Sequence, residues 1–63
     1  MTKTETRTKT NATLIMRIAA LYSHTKIYKS DRTEFARICE ELKKREIITE
    51  QEIEEMTKFF EGF

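Results

Sequence analysis

The sequence predicts an all-α fold: a small three-helix module with an extended, basic, Thr-rich N-terminal arm, assembled as a dimer. Three observations carry this. The chain has no proline and a single glycine, Gly62, whereas strand-and-turn folds need Gly, Pro or Asn-Gly at tight turns. From Leu14 onward the apolar residues recur at three- and four-residue spacing, the period of a helix. Finally, 63 residues make one domain that buries only ~60% of the surface exposed by its unfolded chain, a marginal core. Small domains offset this with disulfides, a metal or association. One cysteine and one histidine supply neither a disulfide nor a four-ligand zinc site. Association remains.

Residues 1–10 form the arm and residues 11–63 the helical domain. In the arm, threonine fills every even position and a charge stands at 3, 5, 7 and 9. Nothing there buries apolar area, so the segment reads as a solvated arm. Alternatively, as a strand it puts five threonines on one face and Lys3, Glu5, Arg7 and Lys9 on the other. Two such copies can pair as a ribbon.

The first helix is expected over about 11–28, capped by Asn11. Leu14, Ile15, Ile18, Leu21 and Tyr22 make its inward stripe. A second stripe, Met16, Ala19, Ala20, Ser23 and Ile27, lies on the far side. A helix apolar on two sides is packed on both, so these five residues are the expected dimer or partner interface. The other reading has the helix fraying near His24 and Ile27 folding back onto the core.

The second helix is expected to start at Ser30 or Asp31, with Asp31 and Glu34 spaced like a capping box. Phe35, Ile38, Cys39 and Leu42 point inward. Lys43, Lys44 and Arg45 suit the negative end of the helix dipole. The third helix has the clearest start. Thr49-Glu50-Gln51-Glu52 is a capping box, and Ile48 and Ile53 stand where a hydrophobic staple places them. Ile53, Met56, Phe60 and Phe63 form its stripe, with Gly62 as the C′ residue. Phe59 falls off that stripe and joins the expected interface. A single helix over 31–61 would keep the apolar residues in phase but waste Ile47 and Ile48. A break near 47–48 is therefore expected.

No catalytic set emerges. His24 and Ser23 are adjacent and face different ways on a helix. Cys39 shares a stripe with Phe35 and Leu42, where a thiol is inert packing. A phosphate-cradling loop needs several glycines. No enzyme, cofactor or metal is expected. No apolar run approaches ~18 residues, and the first residues lack the apolar stretch of a signal peptide. A cytoplasmic location is expected.

Charge separates the classes that remain. Residues 1–32 carry seven basic against two acidic side chains, net +5, and residues 33–63 carry five against nine, net −4. A helix-turn-helix would drive the acidic third helix against phosphates, which repel it. A strand-capable segment followed by helices resembles the ribbon-helix-helix layout, which implies a dimeric DNA-binding regulator with Lys3, Arg7 and Lys9 on the nucleic acid. The all-threonine second face and the extra helix depart from that pattern. The leading expectation is a regulatory or inhibitor-type protein-binding module of bacterial or phage kind, acting through helix surfaces as a homodimer.

Overall fold

Capping and burial together place four helices. The computed structural model describes residues 2–61; Gly62 and Phe63, expected as a cap and a core residue, lie outside the described residues. The helices are α1 (Lys3–Thr8), α2 (Asn11–Tyr22), α3 (Lys29–Lys44) and α4 (Glu50–Glu61).

The segment expected as an extended arm contains α1. Its start is a capping box: the Thr2 Oγ1 accepts the Glu5 N–H at 3.2 Å and the Glu5 Oε1 accepts the Thr2 N–H at 3.4 Å. That hydrogen bond to the Thr2 backbone holds the Glu5 carboxyl below its ordinary pKa. The threonine hydroxyls are satisfied within the helix, Thr6 donating to the Thr2 carbonyl and Thr8 to the Glu5 carbonyl, each at 2.8 Å. Six residues are too few for a helix to stand alone in water. Docking against α3 supplies the rest, and Thr6 is buried there.

Thr10 rather than Asn11 caps α2, its hydroxyl accepting the Thr13 N–H. The helix ends at Tyr22, not Tyr28. Ser23, His24 and Thr25 are weak helix formers, and the freed link lets Ile27 pack against the core. The fraying alternative is therefore the one observed. Leu14, Ile18 and Leu21 are buried, but Ile15 is 49% exposed. At about 100° per residue, Ile15 stands a quarter-turn from Leu14 and misses an inward arc that faces mainly one neighbour.

In α3 the residue at the N-cap is Tyr28. Asp31, expected at or near the cap itself, sits three positions on and accepts the Tyr28 N–H at 2.9 Å. The helix closes in a Schellman motif. The Ile47 N–H donates to the Leu42 carbonyl and the Glu46 N–H to the Lys43 carbonyl, both at 2.9 Å. The left-handed residue this motif needs is Glu46, at φ 62°. The continuous helix over 31–61 is thereby excluded and the expected break is found. Thr49 and Glu52 exchange both capping-box hydrogen bonds, at 2.9 and 3.2 Å, and Ile48 and Ile53 pack against the core.

The core is Leu14, Ile18, Leu21, Phe35, Ile38, Cys39, Leu42 and Phe60. Phe60 brings α4 in, its ring 4.6 Å from Phe35 and 5.0 Å from Tyr22. Arg32 adds a hydrogen bond to the Phe60 carbonyl at 3.4 Å.

Candidate interaction surfaces

The outer side of α2 is an exposed face without charge. Ala12, Ile15, Met16, Ala19, Ala20 and Ser23 are all exposed, Met16 by 70%. They fill an arc of about 140° that holds no charge. Arg17, the only charged residue of α2, lies outside the arc and is paired with Glu34 at 2.7 Å. In a chain that is 37% charged, a charge-free arc of this width is a distinct feature. Phe59, 46% exposed, stacks its ring 4.5 Å from Tyr22 and extends the arc's edge onto α4.

Of the residues expected at this interface, Met16, Ala19, Ala20 and Ser23 share one exposed face. Ile27 is not among them; it is half-buried on the core. Ser23 turns its hydroxyl onto the Ala19 carbonyl at 3.2 Å, so its polarity is spent within the helix.

The expected nucleic-acid contacts divide. Lys3 and Arg7 line a groove between α1 and α3 with Arg37, Glu40, Glu41 and Lys44. Lys9 lies apart, in a depression with Glu5, Thr13 and Arg17. The α1–α3 groove encloses about 140 Å³, well under the ~300–1,000 Å³ of small-molecule sites.

Arg45 joins the end of α1 to the end of α3. Its Nη2 donates to the carbonyls of Arg7 at 2.8 Å and Thr6 at 3.4 Å, and its Nη1 to Lys9 O and Asn11 Oδ1 at 2.8 and 2.9 Å. Its Nε holds Glu41 at 2.8 Å. One planar guanidinium with five donors thus closes the carbonyl end of α1 and anchors it to α3. Sequence reasoning gave Arg45 to the α3 dipole and to an i, i+4 pair with Glu41, which is found, but not to α1, and it missed Arg37 and Lys44 as surface partners of Lys3 and Arg7. No local signal points to either.

The titratable groups form no reactive set among the described residues. His24 Nδ1 stands 3.7 Å from Asp31 on an exposed helix end. Burial pushes the Cys39 thiol up to about 11, so near neutrality it is not a nucleophile. No group of three His, Cys, Asp or Glu among the described residues could hold a metal. No described helix is long and apolar enough to cross a membrane. Compared with known proteins, the chain matches no family model, no curated protein and no solved structure.

Proposed function

We propose that this chain is a non-catalytic, regulatory or inhibitor-type protein-binding module that works in the cytoplasm through the charge-free face of α2, with a second copy of itself as first partner. The observation that carries the reading is that face, where Ile15 and Met16 stand exposed among small residues. Small side chains let two helices approach toward the lower end of the usual ~8–10 Å separation.

The face also complements itself in size. A two-fold axis crossing an antiparallel pair between positions 17 and 18 sets Met16 beside Ala19 and Ala12 beside Ser23. Met16 then meets a small residue, both copies offer the same patch as in an isologous interface, and no like charges are brought together. The pairing would also cover apolar surface that a domain of this size can ill leave in water.

Sedimentation at micromolar concentration tests this. The expected result is a dimer that Ala20→Glu converts to a folded monomer, because Ala20 lies outside the core. Mixed copies carrying Met16→Cys and Ala19→Cys should cross-link. A parent chain that stays monomeric at millimolar concentration overturns self-association. If it also binds no other protein through this face, the whole reading falls.

A further inference from the structure

We infer that Met16 is a site of reversible oxidation whose sulfoxide switches off self-association through α2, an inference that rests on that face being the one that pairs. The described residues hold three sulfurs, on Met16, Cys39 and Met56. Cys39 is buried in the core and Met56 is half-buried against it. Met16 is the most exposed of the large apolar side chains, at 70%. Oxidants act first on sulfur that meets solvent, so one sulfur is offered and two are shielded. The one offered stands in the middle of the charge-free arc.

The step takes a hydroperoxide, of which hydrogen peroxide is the simplest. The thioether sulfur attacks one peroxide oxygen, and an S–O bond forms as the O–O bond breaks. The proton of the attacked oxygen passes to the departing hydroxide and gives water. Sulfur loses an electron pair and the peroxide gains it. A dithiol-dependent reductase reverses the change, releasing the oxygen as water and leaving a disulfide. On the protein, the added oxygen is a hydrogen-bond acceptor with nothing on the arc to accept from. Ala12, Ala19 and Ala20 flank Met16 and carry no polar side chain, and the Ser23 hydroxyl is turned onto the Ala19 carbonyl. In the antiparallel pair, Ala19 of the partner subunit is what comes beside it. Pairing would bury an unsatisfied polar group in each copy, whereas a single chain leaves it in water. Association therefore shields Met16, and oxidation blocks association.

The test is sedimentation of the full chain before and after limited hydrogen peroxide, with peptide mass mapping to place the added oxygen. Untreated chain should dimerise. Oxygen should reach Met16 before Met56, and more slowly at chain concentrations above the dimer dissociation constant. With a sulfoxide in each copy that constant should rise at least about 30-fold. Helical circular dichroism should stay unchanged, because Met16 lies outside the core. A dithiol with the reductases for both sulfoxide epimers should restore pairing. In Met16→Leu, whatever its own constant, peroxide should leave that constant where it was, and Met56→Leu should respond as the parent does. Untreated chain that stays monomeric at millimolar concentration overturns self-association itself, and the switch with it. A dimer that survives oxidation of Met16 overturns the switch alone. So do an equal response in Met16→Leu, oxygen reaching Met56 first, or loss of helix on oxidation.

Discussion

The guanidinium of Arg45 stands 2.8 Å from the carbonyl oxygen of Arg7, across 38 positions of chain. It meets the end of α1 where unpaired carbonyls gather and the helix dipole is negative. The same side chain holds Glu41, so its charge is balanced where it lies.

Arg45→Met should therefore cost about 2 kcal/mol, the scale of one or two hydrogen bonds to a charged group, and detach α1. Urea unfolding measures the first effect and exchange of the Thr6 amide the second. Arg45→Lys should recover little, since an ammonium cannot fork across several carbonyls. If the Thr6 amide stays protected in Arg45→Met, α1 is held by something else.

Glu46 occupies a backbone region that favours glycine, at φ 62°. A side chain there costs about 1–2 kcal/mol, partly offset by the greater freedom glycine brings to the unfolded chain. Glu46→Gly should raise stability by about 0.5–1 kcal/mol. Glu46→Val should lower it, because a branched Cβ fits the left-handed region worst. Thermal unfolding of the two variants checks both signs.

Cys39 makes the chain sensitive to alkali. Burial raises its thiol from about 9 to about 11, so the folded state holds that proton more tightly than the unfolded one. Its contribution is complete below the unfolded value and declines as pH climbs toward the folded one. Melting should weaken across that window, and less so in Cys39→Ala. Tyr22 is raised too, first by burial and then by the Cys39 charge, which leaves a residual slope in the variant. Native chain should resist alkylation at neutral pH. Ready labelling without unfolding would contradict the burial.

What the sequence made legible was local. Thr49 with Glu52, and Ile48 with Ile53, announce the start of α4 within five residues; both Thr49–Glu52 hydrogen bonds formed as expected, and Ile48 and Ile53 each pack on the core. The inward stripe of α3 followed from spacing alone, because Phe35, Ile38, Cys39 and Leu42 share one side of a long helix. The same capping motif lay at Thr2 and Glu5, but the lack of apolar residues read as a solvated arm, with the threonine alternation offering a strand instead, and hid it. Without Arg45 in place, six residues have no reason to stay helical, and that partner is remote in sequence. The exposed face of α2 was visible from periodicity, since Met16, Ala19, Ala20 and Ser23 need only helical geometry to align. Ile27 was misplaced because the helix stops at Tyr22, where weak formers end it before any strong stop signal. The meeting of Lys3 and Arg7 with Arg37 and Lys44 depends on how whole helices dock, which no short window of sequence records.

The Arg45 clasp also sets an order of events during synthesis. The first helix leaves the ribosome before its anchor has been translated, and so short a segment has no stable shape of its own meanwhile. It must wait, unstructured, while the two following helices emerge and close on each other. The first helix thus settles only once a later-made segment, reaching as far as Arg45, is in place.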